Sequence, residues 1–324
     1  NAVRKLRPVN EVSLSISSRT DTGVHALCNS AHVDIERKAD KPPFSEQILT
    51  KALNFHLQTE SIRVIRALRV PDTFHARFHA ISRTYVYRLA TGVGHHSELP
   101  LPEKNFCWPL QETGLDIRAM EEASTLLLGT HDFSSFRALN SETPFKNPVK
   151  TLLCAHVGLR EGSFSQEHFH RDLQYWEFTF KSRSFLYKQV RRMTGALVAV
   201  GRRKLSVSQL REILEARDSL AYPHNMTAPP DGLFLTNVEY TESGGCNRIR
   251  LCSRISSPTP VTHSPKRNIS SVSLMPFGRS PLMKWPMASV NDWFTGSAAS
   301  RGRMTLTLEA TLSSWLTKSK GTAL

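Results

Sequence analysis

The chain has 324 residues, and its 42 Lys and Arg against 28 Asp and Glu give a formal net charge of +14 at pH 7. It contains no run of 18 apolar residues, so we expect no membrane-spanning helix. Its five cysteines form no C-x-x-C pair, which argues against a disulfide scaffold or a cysteine-based zinc site and favours a reducing compartment. The basic excess favours a polyanionic partner, with nucleic acid ahead of a membrane surface.

Residues 1–90 have the pattern of a strand-rich N-terminal lobe. Val12, Leu14 and Ile16 alternate with polar residues, which predicts a half-buried strand over residues 11–16. The other elements predicted here are a strand at Ala31–Ile35, a helix capped by Ser45 that runs to about His56, and strands at Ile62–Val70 and Ser82–Ala90.

Residues 91–241 form a predicted C-terminal lobe with a similar alternation of elements. They are a helix capped by Asp116, strands at Leu152–Leu159 and Gln174–Lys181, a helix from about Ser184 to Val200 that ends at Gly201, a helix at Val207–Ala216, and a strand at Leu233–Tyr240. Strands and helices thus alternate in two halves, which favours an α/β or α+β enzyme.

Residues 242–324 differ from the rest in composition. From residue 246 onward, eleven basic side chains face two acidic ones, so this segment contributes +9 of the net charge and the first 245 residues only +5. It is rich in Ser and Thr and has no sustained hydrophobic period, so we predict a disordered basic tail. Three tryptophans and one stretch that would suit a short amphipathic helix (Leu308, Leu312, Trp315 and Leu316) are the observations against disorder.

The first segment with the residue types of an active site is Ser18–Ala26, directly after the first predicted strand. It reads S-R-T-D-T-G-V-H-A, so the Asp21 carboxylate follows a basic residue and precedes a turn-forming glycine. An ordinary Asp-Thr-Gly turn is the alternative. Aspartic proteases need two such carboxylates, and the sequence contains no second D-T-G or D-S-G.

The second segment interleaves arginines with aromatic residues over Asp72–Arg88. This pattern suits phosphate contact and stacking on an unpaired base, although a strand of packed tyrosines and solvated arginines is the alternative. His75 and His79 lack a third ligand at a metal-like spacing, so we interpret them as loop or RNA-contact residues.

The third segment, Arg183–Met193, places Leu186, Val190 and Met193 on one face of a predicted helix. Its basic residues either pair with a carboxylate from elsewhere in the chain or face water. Arg191, next to Val190 at the apolar boundary, is the strongest candidate for pairing.

Five ordered motifs together resemble the tRNA pseudouridine synthase A family over about residues 9–241. They are R-T-D-x-G-V-H-A (Arg19–Ala26), F-H-A-R-F-x-A-x-x-R-x-Y-x-Y (Phe74–Tyr87), G-x-H-D-F-x-x-F (Gly129–Phe136), F-L-Y-x-Q-V-R (Phe185–Arg191) and A-P-x-x-G-L (Ala228–Leu233). The resemblance implies a two-lobed α+β pseudouridine synthase fold, with a mixed, largely antiparallel central sheet flanked by helices. It also implies an isomerase that converts uridine to pseudouridine in tRNA.

The resemblance also implies the central residues of the site. Asp21 corresponds to the catalytic carboxylate, which acts on a flipped-out uridine either as a nucleophile on the uracil ring or by assisting glycosidic cleavage and proton removal at the ribose. Arg191 corresponds to its cationic partner, Tyr85 to the tyrosine that stacks on the uracil, and Leu233 to an apolar wall of the base pocket. No metal or organic cofactor is implied, and the sequence contains no phosphate-binding loop.

Binding to tRNA is expected to involve further residues around that centre. The candidates are Arg19, His75, Arg77, Arg83, Lys188 and Arg192. By family analogy a homodimer is an expectation, and mitochondria are the expected location, with the cytoplasm or nucleus as alternatives.

Three departures from the family pattern bear on these expectations. The chain begins at Asn1, where family members carry an upstream strand and helix, so we expect a fragment lacking one central strand of the sheet. Position 22 is Thr where the family usually has Ala. The tail resembles nothing in the family, so we expect that it derives from an alternative or mispredicted reading of the gene and that its deletion leaves tRNA modification largely intact.

Two other functions fit the sequence. One is a catalytically inactive tRNA-binding protein, and the other is a protein that binds membranes or nucleic acids through its basic tail.

Overall fold

The computed structural model describes residues 1–38, 40–139, 147–160, 172–241 and 301–310. Most of the predicted tail, residues 242–300 and 311–324, lies outside the described residues. In the described part, no helix is both long and apolar enough to cross a membrane.

The described strands form one ten-stranded sheet. Their bounds are β1 Leu14–Ile16, β2 His25–Glu36, β3 Ile62–Val70, β4 Ala80–Thr91, β5 Trp108–Leu110, β6 Gly129–Asp132, β7 Val149–Arg160, β8 Gln174–Ser182, β9 Leu233–Tyr240 and β10 Arg301–Ala310. The order is β3-β10-β2-β9-β4-β8-β7-β6, with β1 paired to β2 and β5 to β4. Only the β2–β9 and β4–β5 pairs are parallel in this set, which confirms the mixed, largely antiparallel sheet.

The described α-helices flank this sheet. They are α1 Ala2–Lys5, α2 Glu46–His56, α3 Ile117–Leu126, α4 Gln189–Gly201 and α5 Val207–Ala216. Ser45 and Asp116 cap α2 and α3 as predicted, with side-chain oxygens that accept hydrogen bonds from the backbone N–H groups of Ile48 and Ala119.

Helix α4 begins five residues later than the sequence predicts. Lys188 has a left-handed backbone with φ of 55°, and this conformation does not continue an α-helix. Gln189 then begins the helix, and its side-chain oxygen accepts a hydrogen bond from the Leu186 N–H at 2.8 Å. Residues 183–188 are therefore a connection from β8 to α4.

The described residues form three hydrophobic cores, and the two larger ones hold helices against the sheet. The larger one packs α3, α4 and α5 on β4, β7 and β8, with Leu127, Phe178 and Leu197 at its centre. The smaller one packs α2 on β2, β3 and β10, and includes Leu49 and Met304.

The prediction of disorder is wrong for residues 301–310, which form β10. This strand pairs antiparallel with β2 on one side and with β3 on the other. Met304 is buried in the smaller core, and β10 is the only described strand that pairs with β3. The alternation of polar and apolar residues from Arg303 to Leu308 suits a strand, but it is too short to outweigh the polar composition around it. Because β10 completes the sheet, deletion of the whole tail is expected to disturb the fold.

Candidate active site

Asp21 lies in a turn between β1 and β2. The turn is anchored by hydrogen bonds from the Ser17 N–H to the Ser30 carbonyl at 2.8 Å and from the Val24 N–H to the Asp21 carbonyl at 3.1 Å. Gly23 has φ of +84°, and a Cβ there would lie 2.8 Å from Pro230 Cγ. The glycine is therefore required both for the backbone conformation and for the close packing against residue 230.

Arg191, in the first turn of α4, lies beside the Asp21 carboxylate. Its Nη1 is 3.4 Å from Asp21 Oδ2, and the exposed fractions of the two side chains are 12% and 22%. Arg191 Nε donates a second hydrogen bond to the Ala228 carbonyl at 2.8 Å. One guanidinium thus holds both the carboxylate and the segment that leads into β9.

The segment from Ala228 to Leu233 closes the site on the other side. The Ala228 N–H donates to the Arg191 carbonyl at 3.1 Å, and the Tyr87 hydroxyl donates to the Pro229 carbonyl at 2.8 Å. Helix α4 packs directly against the backbone that precedes this segment. A Cβ at Gly195 would lie only 1.7 Å from the Met226 carbonyl oxygen, so this position requires glycine. Leu233, at the end of this segment, is buried.

Tyr85, on β4, is buried beside this turn. Its ring meets that of Phe185 edge-to-face, with 5.3 Å between centroids. Burial raises the pKa of Tyr85 to about 12, and the negative charge of Asp21 adds to this effect while Arg83 opposes it. The hydroxyl therefore stays protonated at neutral pH and can act as a hydrogen-bond donor.

Arg83 is buried, although it was predicted to contact RNA. Its guanidinium donates to the carbonyls of Ser17, Arg77 and Arg183 and to the Ser18 hydroxyl. Burial lowers its pKa. These contacts favour a role in positioning the Asp21 turn over direct phosphate contact.

Arg192 is also engaged within the protein. Its Nη1 donates to the carbonyls of Ser135 and Arg137 at 3.1 and 2.7 Å, and its guanidinium lies over the Tyr222 ring, 4.6 Å from the centroid. Burial lowers the pKa of Arg192 as well.

The remaining RNA-contact candidates differ in exposure. Arg19 and Arg77 are exposed, whereas His75 and Lys188 are half-buried. Thr22, the departure next to Asp21, is exposed.

Two buried residues that support the site were not singled out from the sequence. His25 starts β2 between the rings of Phe106 and Phe234, and its Nε2 donates to the Asn105 carbonyl at 2.8 Å. Tyr240 donates to the Ala76 carbonyl at 2.7 Å. The sequence signal for His25 is its place in the first motif, which ends in Val-His-Ala. The signal for Tyr240 is only its place in the apolar alternation of β9.

The described residues contain no cluster of three or more His, Cys, Asp or Glu side chains that could hold a metal ion. The site brings together the Asp21 carboxylate, the Arg191 guanidinium and the Tyr85 phenol.

Comparison with known proteins identifies relatives that cover most of the chain. A family model described as tRNA pseudouridine synthase matches residues 123–241. The chain is 56% identical over 246 residues to tRNA pseudouridine synthase-like 1 of Xenopus laevis, and the aligned residues cover 75% of this chain and 82% of that protein. It is 48% identical over 247 residues to tRNA pseudouridine synthase-like 1 of Homo sapiens, and the aligned residues cover 76% of this chain and 81% of that protein. It is 39% identical over 244 residues to tRNA pseudouridine synthase A of Paramagnetospirillum magneticum, covering 75% and 85%.

Proposed function

This chain belongs to the tRNA pseudouridine synthase family, and from that premise we propose that it isomerises uridine to pseudouridine in tRNA with Asp21 as its catalytic carboxylate. The observation that carries the choice of residue is the pairing of Asp21 with Arg191 at 3.4 Å in a site that is largely closed to solvent.

The reaction rearranges bonds without a co-reactant. The glycosidic bond between uracil N1 and ribose C1′ breaks, the base rotates, and a bond forms between uracil C5 and C1′. The proton on C5 is lost and N1 gains one, so substrate and product have the same composition. The enzyme must therefore hold the detached base and move protons, and both tasks need only groups that the chain supplies.

For each residue we propose the role that the family resemblance implies. Asp21 acts on the flipped-out uridine, by addition to the ring or by assisting glycosidic cleavage and proton removal at the ribose. Arg191 fixes the direction of the carboxylate. Tyr85 stacks on the uracil, and Leu233 walls the pocket.

The decisive experiment replaces Asp21 with Asn, which keeps the size of the side chain and removes the charge. Pseudouridine formation in unmodified tRNA transcripts should fall by at least about 100-fold, because a positioned acid–base group typically contributes about 10²–10⁴. Asp40→Asn, at an exposed carboxylate after β2, is the matched control and should retain the parental rate.

Activity of Asp21→Asn equal to that of the parent would refute the catalytic role. A parent that binds tRNA but forms no pseudouridine would instead support the alternative of an inactive tRNA-binding protein.

Location and assembly are further proposals that rest on the family resemblance. We propose that the protein acts in mitochondria, and microscopy of the tagged native protein would overturn this by placing it in the cytoplasm or nucleus. A homodimer rests on family analogy, and sedimentation of the purified chain tests it.

A further inference from the structure

Tyr222 lies in the connection from α5 to β9 and is buried beside the first turn of α4. Its ring meets that of Phe136 edge-to-face, with 5.8 Å between centroids. The Arg192 guanidinium covers the ring at 4.6 Å from its centroid. Contacts with a second ring and with a cation therefore hold the Tyr222 ring in one orientation, and this orientation fixes the position of its hydroxyl.

The Tyr222 hydroxyl joins α4 to the backbone that leads into β9. It donates to the Arg192 carbonyl at 2.8 Å and to the Met226 carbonyl at 3.1 Å. A phenol has one hydrogen to donate, so this hydrogen is shared between one acceptor on the helix and one on the connection. Burial raises the pKa of Tyr222 above its ordinary value, although the charge of Arg192 and a hydrogen bond with Thr227 oppose this effect. The hydroxyl therefore stays protonated and remains a donor at neutral pH.

Two further hydrogen bonds join the same two stretches of backbone around Arg191. The Ala228 N–H donates to the Arg191 carbonyl at 3.1 Å, and Arg191 Nε donates to the Ala228 carbonyl at 2.8 Å. We call residues 191–192 and 226–228 the α4–β9 junction. The guanidinium that is bound in this junction through Nε also places its Nη1 at 3.4 Å from Asp21 Oδ2. The position of Arg191 against the carboxylate therefore depends on how firmly the junction is held.

We propose that Tyr222 is a positioning residue for pseudouridine formation, which holds Arg191 through the α4–β9 junction and thereby sets the direction of the Asp21 carboxylate. This inference rests on the proposed function. Because Tyr222 is buried and its hydroxyl is bound to backbone carbonyls, it reaches the reaction only through these contacts. The distance of 3.4 Å between Arg191 and Asp21 already exceeds the roughly 2.7–2.9 Å of a strong charged hydrogen bond. A further displacement of Arg191 would therefore break the contact.

The test removes one hydroxyl from each of two buried tyrosines. Tyr222→Phe keeps the ring and should lower kcat for an unmodified tRNA transcript about 10-fold, because a shift of about 1 Å in a catalytic group costs up to about 100-fold. The KM should stay within about 2-fold of the parent, since no group that touches RNA is removed. Tyr175→Phe is the matched control, because Tyr175 is 1% exposed and its hydroxyl has no hydrogen-bond partner in the described part of the chain. This control should match the parent in both constants.

A second substitution tests whether Tyr222 acts through Arg191. In an Arg191→Lys protein, Tyr222→Phe should lower kcat by less than about 2-fold further, because two changes within one network are not additive. Single-turnover assays with enzyme in excess measure the slow variants. The inference is overturned if Tyr222→Phe keeps the parental kcat, if it raises the KM instead, if its full loss persists in the Arg191→Lys protein, or if Tyr175→Phe shows the same loss.

Hydrogen exchange follows the α4–β9 junction without catalysis and so separates this inference from the proposed function. The Ala228 N–H should exchange faster in Tyr222→Phe than in the parent, and at the parental rate in Tyr175→Phe. If the parent forms no pseudouridine in any tRNA, the proposed function fails, and unchanged exchange in Tyr222→Phe would then overturn this inference as well. If the parent is active and Tyr222→Phe matches it in kcat, only the positioning role fails.

Discussion

At the scale of single residues, Arg83 is a buried cation whose observed hydrogen-bond acceptors are all uncharged. They are three backbone carbonyls and the Ser18 hydroxyl. No Asp or Glu oxygen among the described residues lies within 4 Å of it. Because four hydrogen bonds offset its desolvation, the guanidinium can link the Asp21 turn, loop 74–79 and the connection to α4.

Arg83→Lys tests this positioning role. Lysine keeps the charge, but its compact ammonium does not reproduce the planar fork that reaches four acceptors. We expect kcat for pseudouridine formation to fall about 10-fold or more, because a shift of about 1 Å in a catalytic group costs up to about 100-fold. The KM for tRNA should change much less.

Arg66→Lys, at an exposed arginine on β3, is the control and should match the parent in both constants. An Arg83→Lys variant with parental kcat and a raised KM would instead identify Arg83 as a phosphate contact.

The sequence located the central pair but not the roles of all its arginines. Asp21 and Arg191 lie 170 positions apart, and only the family resemblance indicated that they would meet. The hydrogen-bond acceptors of Arg83 and Arg192 include main-chain carbonyls, such as those of Arg183 and Ser135. Every residue has a carbonyl, so the sequence does not show which ones accept a hydrogen bond. Without that information, both arginines were predicted to contact phosphate.

At the scale of secondary-structure elements, the spacing of apolar residues predicted the strands and helices that bury one face. The strands Ile62–Val70 and Leu233–Tyr240 and the helix Val207–Ala216 have the bounds that the sequence predicts. Strand β2 instead begins at His25, six residues before its predicted start, because its first residues pair with β9 and β10, which lie more than 200 positions later in the chain. Pairing of this kind depends on residues distant in sequence, so local periodicity does not contain it.

Met304→Ala tests the place of β10 in the sheet. Met304 is buried with Val33, Leu49 and Leu53 in the smaller core. Its truncation should lower the free energy of unfolding by about 2–5 kcal/mol, as measured by urea denaturation. Leu220→Ala, at an exposed leucine, should change it by less than about 0.5 kcal/mol. Parental stability of the Met304→Ala variant would be inconsistent with a strand in this position.

At the scale of the whole molecule, the buried His25 makes stability depend on pH. Burial lowers the pKa of His25 below its ordinary value of 6.5, and hydrogen bonds and Asp231 only partly oppose this. The unfolded chain therefore binds this proton at a higher pH than the folded protein does. Neutral His25 therefore makes its full contribution to the free energy of unfolding above pH 6.5, and this contribution is lost as the pH falls below that value.

His25→Phe should flatten this dependence, because phenylalanine fills the space between the neighbouring rings and does not titrate. The free energy of unfolding, measured by urea denaturation from about pH 5 to 8, should fall less steeply towards acid pH in the variant than in the parent. Parallel curves would show that His25 does not carry the effect.

The strand order also has a consequence for how the protein is made. Thr305 of β10 pairs with His32 on one side and Leu68 on the other, so the contacts that join β2 to β3 span almost the whole chain. Such distant pairings form slowly, and during translation β2 and β3 leave the ribosome long before the strand that separates them. Until residues 301–310 emerge, the apolar face of the smaller core lacks the strand that covers it, and the nascent chain is exposed to chaperones and to aggregation.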